Sequence, residues 1–270
     1  MVLIVLIWVF LLWASFSLLL FSDVDSIINS STKMAATAWE KIYYAGFIIS
    51  TLGMGDYIPS RNIWRMVTDM YAFTGLILLT MSVTYFIPVL TAVIEQRKLG
   101  LRLKMLGTSP QDIIMKSWNG QDFSRILDEV QDIAGSLIKH SQNHRAYPVI
   151  HYFHNCKKNN TIILQMARLF ETLYLFKNVV RKDLQPSHYD LYPLEVAFQN
   201  YIEVITEVGN MSIENKAPEW PEFNYLVSHN ISMEQPPTDH FTIEDAFQYK
   251  RRVFLSLVKQ DGWEWEDIHT

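Results

Sequence analysis

Two long uncharged stretches dominate the pattern of apolar and polar positions along the chain. Residues 2–21, VLIVLIWVFLLWASFSLLLF, and residues 70–94, MYAFTGLILLTMSVTYFIPVLTAVI, contain no Asp, Glu, Lys or Arg. At about 1.5 Å of rise per residue, a helix of either length crosses the roughly 30 Å hydrocarbon core of a bilayer. After Ile94 the sequence becomes mixed and polar. The pattern predicts two membrane-spanning helices followed by a polar second part.

The first stretch has an alternative interpretation as a secretory signal peptide, which the small residues Ala14, Ser15 and Ser17 keep open although no clear cleavage site is present. No Lys or Arg precedes it, however, and it is longer than the usual signal core of about 7–15 residues. We therefore expect it to be retained as a helix.

A third apolar segment lies between the two stretches. Ala35–Ser50 reads AATAWEKIYYAGFIIS and contains no Pro. A helix of this length, about 24 Å, enters a bilayer without crossing it. The polar run Thr51–Asp56, TLGMGD, follows directly. Irregular backbone at membrane depth is tolerated where it lines a water-filled cavity, and Gly permits the conformations that aim carbonyl groups toward an ion.

This order of segments resembles the pore module of potassium channels, and Asp56-Tyr57-Ile58-Pro59 is similar to the filter exit of bacterial two-transmembrane channels. The resemblance covers roughly the first 95 residues. It implies a two-helix pore domain over 1–95, with an outer helix at 2–22, a pore helix at 35–50, a selectivity filter at 51–56 and an inner helix at 63–95.

The resemblance also implies a role for individual residues. Backbone carbonyls of the filter would bind permeant K⁺ in a homotetramer, with Asp56 at the outer mouth. The filter residues are Thr51, Leu52, Gly53, Met54 and Gly55. The pore-helix residues Tyr43, Tyr44 and Phe47 would support the filter.

Two positions depart from the family pattern. Met54 stands where many members carry Tyr or Phe, and Phe47 stands where some carry a Glu that couples to the filter Asp. We therefore expect a filter braced by packing, with the Met54 sulfur on Tyr43 or Tyr44, more than by hydrogen bonds. This leaves open a weakly selective cation channel as the alternative to a potassium channel. A membrane-anchored signalling or scaffold protein with a non-conducting pore is the second alternative.

The inner helix carries two candidate gating residues. Gly75 is either a bend or a close-packing contact, and these alternatives stay open. Pro88 cannot donate to the carbonyl of Thr84, which predicts a kink near the cytoplasmic end. No Arg-repeat helix precedes the pore, so steep voltage gating is not expected.

Charges near the membrane predict the orientation. A basic cluster follows the second helix, which places that side in the cytoplasm and, with two spans, the N-terminus as well. The cluster comprises Arg97, Lys98, Arg102 and Lys104. The predicted location is the cell membrane, as a multi-pass protein in contact with lipid. The net charge of −5 and the absence of a basic stripe argue against nucleic acid as a partner.

Residues 96–270 are expected to form an all-α cytoplasmic domain. Apolar residues recur at helical spacing in several segments. These are Asp122–Lys139, Thr161–Val180, Leu194–Val208 and Ile243–Val258. Residues 96–270 lack the Gly-x-Gly-x-x-Gly motif of nucleotide-binding regulatory domains. The run 250–252, Lys-Arg-Arg, is interpreted as a solvated helix face. We expect this domain to assemble or gate the pore in response to an unknown ligand or protein.

Candidate chemistry in the second part is sparse. His140 and His144 are four residues apart, a spacing that suits a metal on one helix face, with His151, His154 and Cys156 nearby in sequence. Surface or hydrogen-bonded structural histidines are the favoured interpretation. No catalytic set of diagnostic spacing is present, so we expect neither an enzyme nor a cofactor beyond permeant K⁺.

Overall fold

The computed structural model describes residues 2–153, 158–208, 211–219 and 245–269. The chain divides into two compact units between Pro88 and Val89. The elements of the first unit are α1 Val2–Phe21, β1 Ile27–Asn29, α2 Ala38–Ile49, β2 Tyr57–Pro59 and the first part of α3 Asn62–Leu106. The second unit holds the rest of α3 and α4 Pro110–Ser117, α5 Ser124–Ala146, α6 Ile162–Asn178, α7 His188–Val208 and α8 Asp245–Gln260, with 3₁₀ turns at Pro148–Tyr152, Lys158–Asn160 and Trp265–His269.

Helices α1 and α3 are both long and apolar enough to cross a membrane. Their outward side chains are largely exposed in the single chain, as expected of surfaces that face lipid or other subunits. A small aromatic core joins them to α2, and its larger members are Phe16, Tyr44, Phe47 and Trp64. The predicted all-α membrane fold is confirmed.

A short antiparallel ribbon, which the sequence did not predict, joins β1 to β2. Ile27 pairs with Pro59 and Asn29 with Tyr57. Each strand has three residues, too few for an alternating pattern to be visible in the sequence. The ribbon fixes the chain directly after the predicted filter.

Helix α3 continues past the predicted end at residue 95, as far as Leu106. Its last turns keep a helical stripe, since Leu99 and Leu103 are buried in the core of the second unit. Arg102, next to Leu103 in sequence, donates to Glu129 and Asp132 of α5. The segment of basic residues is therefore helix rather than linker.

Helix α6 is the centre of the second unit. Every residue from Ile162 to Phe176 is buried, and helices α4, α5, α7 and α8 belong to the same core. The helix predicted over Thr161–Val180 is therefore confirmed, and it is a core helix of this unit. Its polar residues are partnered: Arg168, for example, donates to the carbonyls of Asp267 and Ile268.

The interpretation of residues 250–252 as a solvated face is wrong for Arg251. Its side chain is fully buried and forms a two-pronged ion pair with Glu171 of α6, at 2.7 and 3.0 Å. It also donates to the carbonyls of Pro218 and Glu219. A carboxylate buried on the central helix needs such a partner, because an unpaired charge in the core is strongly destabilising.

Candidate filter segment

The candidate filter begins where α2 ends in a Schellman motif. Ser50 caps the helix, and the next residue, Thr51, has a left-handed φ of 59°. The N–H of Thr51 donates to the carbonyl of Ile48, and the N–H of Leu52 donates to that of Phe47, both at 3.0 Å. This geometry normally favours Gly, because a β-branched residue is strained at positive φ.

Left-handed conformations then continue at alternate positions. Gly53 has a φ of 61° and Gly55 a φ of 84°, whereas Leu52 and Met54, which directly precede the two glycines, do not have a positive φ. Among the residues that the structure describes, none donates a backbone or side-chain hydrogen bond to the carbonyl oxygens of residues 51–55. Five consecutive carbonyl groups are thus left available as oxygen ligands.

The side chains of Leu52 and Met54 are 66% and 52% exposed in the single chain. Space is also open at Gly53 and Gly55, where an added Cβ would meet no atom within 4 Å. The constraint on both glycines is therefore their backbone conformation and not crowding.

Aromatic residues of α2 attach this segment to the membrane helices. The Tyr44 hydroxyl lies 3.0 Å from the Thr68 hydroxyl of α3, and the Tyr44 ring packs against Phe16 of α1. Phe47 lies between Tyr43 and Tyr44, with ring centroids 5.3 and 5.0 Å away. Tyr44 therefore supports the pore helix against α1 and α3.

Hydrogen bonds hold the outer end of the segment, which the expectation of a filter braced mainly by packing did not include. The carbonyl of Asp56 accepts from the N–H of Ser30 at 2.8 Å. The hydroxyl of Tyr57 donates to Glu40 Oε1 at 2.6 Å. These contacts join the exit of the segment to the ribbon and to the start of α2.

The comparisons with known proteins agree with this geometry. Residues 3–92 match the protein-family model described as "Ion channel". Over these residues the chain is therefore similar to an ion-channel family. The chain is also 28% identical over 259 residues to the "Uncharacterized membrane protein YdjJ" of Bacillus subtilis (strain 168), a match that covers 96% of this chain and 75% of that protein. No solved structure matches it.

The two candidate gating residues occupy different environments. Gly75 of α3 lies against the end of α2, because a Cβ added there would stand 2.3 Å from the carbonyl oxygen of Ile49. This geometry favours the close-packing alternative for Gly75. Pro88 lies inside α3, which remains helical on both sides of it.

A buried lysine on α2 was missed by sequence reasoning. Lys41 of α2 is 4% exposed, and its Nζ donates to the carbonyls of residues 20, 23 and 24 at the end of α1. The Asp23 carboxylate in turn accepts from Arg61 and Trp64 near the start of α3. A charged residue inside an otherwise largely apolar helix was the available signal, since such a residue needs a polar partner when buried.

The histidine pair of the second unit is buried rather than on the surface. His140 and His144 are 3% and 4% exposed, and no described residue partners either ring nitrogen of His140 or Nδ1 of His144. Burial lowers the pKa of His140 well below its ordinary value and that of His144 to about 4, so both rings are neutral. No group of three or more metal-ligating side chains is arranged for a metal among the described residues, and His154 and Cys156 lie outside them.

Proposed function

We propose that this protein is a potassium channel in which four identical chains surround one pore. The observation that carries the proposal is the alternation of left-handed residues at 51, 53 and 55. The five successive carbonyl oxygens of residues 51–55 accept no hydrogen bond from any described residue. Alternation of this kind turns successive carbonyls to one side of the strand. Four such strands around an axis would form rings of oxygens that replace the hydration shell of K⁺.

The surroundings of the segment favour a cation. The carboxyl end of α2 carries partial negative charge and lies immediately before Thr51. The exposed Asp56 carboxylate at the other end would raise the local cation concentration when repeated four times. Exposed apolar side chains of the membrane helices, and of Leu52 and Met54, supply surfaces for lipid and neighbouring subunits.

The proposed topology places both ends of the chain in the cytoplasm of a cell carrying the protein in its plasma or inner membrane. The basic residues Arg97, Lys98, Arg102 and Lys104 follow the membrane-spanning part of α3, in agreement with the positive-inside rule. Helix α3 contributes residues to both compact units.

Potassium flux into liposomes tests the proposal. The purified protein should conduct K⁺, and Gly53→Ala or Gly55→Ala should abolish flux, because Ala is strained at positive φ. Gly135→Ala provides a matched control, since an added Cβ at Gly135 would meet no atom within 4 Å and its φ is not left-handed. Wild-type flux in both filter variants would overturn the assignment.

A weakly selective cation channel is the second candidate, and Met54 is the observation that favours it. A Met side chain has no hydroxyl with which to brace the filter, and that of Met54 is half exposed in the single chain. Reversal potentials under opposing K⁺ and Na⁺ gradients separate the two candidates. A reversal potential that follows the K⁺ gradient supports the potassium channel, whereas one near zero supports the weakly selective channel.

A further inference from the structure

Glu40, near the start of α2, has both carboxylate oxygens engaged. Oε2 accepts from the N–H and the hydroxyl of Thr37, at 2.7 and 2.8 Å, in a capping box that fixes the beginning of the helix. Oε1 accepts from the Tyr57 hydroxyl at 2.6 Å. The capping box therefore holds the carboxylate in place, and Tyr57 binds to an acceptor that is already oriented.

Tyr57 directly follows the outer residue of the proposed filter. Its backbone pairs with Asn29 in the ribbon, and its ring lies edge-on to Tyr43 with centroids 6.3 Å apart. At the inner end, the Schellman motif holds Thr51 and Leu52. Between these anchors, within the described residues, the backbone of residues 53–55 makes no hydrogen bond.

We infer that the Tyr57–Glu40 hydrogen bond is the side-chain brace that keeps the outer end of the filter in its ion-binding conformation. Glu40 and Tyr57 are then positioning residues, and the inference rests on the proposed channel function. A hydroxyl bound to a carboxylate is among the stronger hydrogen bonds in proteins. Met54 cannot donate such a bond from within the filter, so the hydroxyl three residues later supplies it.

Ion occupancy makes the inference testable, because bound K⁺ stabilises the conformation that binds it. In Tyr57→Phe, which keeps the ring and removes the hydroxyl, steady K⁺ flux at low external K⁺ should fall about tenfold, the effect of losing one charge-assisted hydrogen bond. High external K⁺ should restore most of that flux. A folding defect would not depend on K⁺ in this way.

Two further variants identify the partner. Glu40→Gln keeps an acceptor oxygen and should retain more flux at low K⁺ than Glu40→Ala. Tyr57→Phe should cost little more when combined with Glu40→Ala, because the two changes remove the same bond. Tyr71→Phe is the control: Tyr71 stacks on Phe16, and its hydroxyl lies 3.4 Å from the Ser15 hydroxyl, away from the filter.

The outcomes separate the two proposals. If correctly assembled wild-type protein conducts no K⁺, the proposed function fails. If the wild type conducts, and the flux of Tyr57→Phe relative to the wild type is the same at low and high external K⁺, the function stands and the brace is refuted. Equal losses of K⁺ flux in Tyr57→Phe and Tyr71→Phe also refute the brace. So does a loss of flux in the Tyr57→Phe, Glu40→Ala double variant that equals the sum of the two single losses.

Discussion

Substitution of Gly75 by Ala should disturb the inner end of the proposed filter. The added Cβ would lie 2.3 Å from the Ile49 oxygen and 3.0 Å from the carbonyl carbon and Cα of the same residue. All three are backbone atoms, so no side-chain rotation relieves the overlap. Restoring even a tight contact, at ~3.3 Å, requires the two helices to move apart by about 1 Å.

The displacement acts on the filter because Ile49 is the last residue of α2, two positions before Thr51. The Schellman hydrogen bonds transmit any movement of the helix end to Thr51 and Leu52. Overpacking of a well-packed contact costs about 1–3 kcal/mol. We therefore expect Gly75→Ala to lower both the unfolding temperature in detergent and the K⁺ flux per amount of protein in liposomes.

Gly46→Ala is the matched control for this experiment. Gly46 lies within α2, and a Cβ there would meet the Trp13 ring at 3.4 Å, an ordinary contact. Replacing a mid-helix Gly by Ala stabilises a helix by about 0.5–1 kcal/mol where the added Cβ makes no clash. Wild-type flux and wild-type melting in Gly75→Ala, measured beside this control, would refute the close-packing argument.

Three further predictions concern buried polar groups. Lys41→Met should destabilise the protein by about 1–3 kcal/mol, measured by thermal unfolding in detergent, because the carbonyls at the end of α1 lose their donor; unchanged melting would show that other donors replace it. Arg251→Met alone should lower the free energy of unfolding by about 3–5 kcal/mol, because it leaves a buried carboxylate unpaired. Adding Glu171→Leu should recover much of that loss, and an equal loss of stability in the single and the double variant would contradict this. His140 and His144 stay neutral in the folded state but take up protons near pH 6.5 when the chain is unfolded. Their contribution to the free energy of unfolding is therefore fully present above that pH and is lost as the pH falls toward 4. Melting curves recorded across this range should show the loss.

The sequence was most informative where the controlling interaction is local. The uncharged runs predict the membrane helices because bilayer thickness sets their length, and Gly53 and Gly55 mark the filter because few residues tolerate positive φ. The buried Arg251 was mispredicted because its partner Glu171 lies 80 residues earlier in the chain. A short basic run on a helix has the same sequence pattern whether it faces solvent or a buried carboxylate. Only the packing of α8 on α6 therefore distinguishes an exposed Arg251 from a buried one.

The conformation of Thr51 shows which part of the filter geometry carries functional information. A left-handed residue directly after a helix is an ordinary way to satisfy the last carbonyls, so the φ of Thr51 alone would fit any helix that ends in a Schellman motif. The identity of the residue is less ordinary, because Gly would occupy this position without the strain of about 1–2 kcal/mol that a side chain brings. No helix end requires the same conformation again at Gly53 and Gly55. A strained Thr in place of Gly, followed by two further left-handed residues and free carbonyls, is the combination that an ion-binding strand explains and a helix terminus does not.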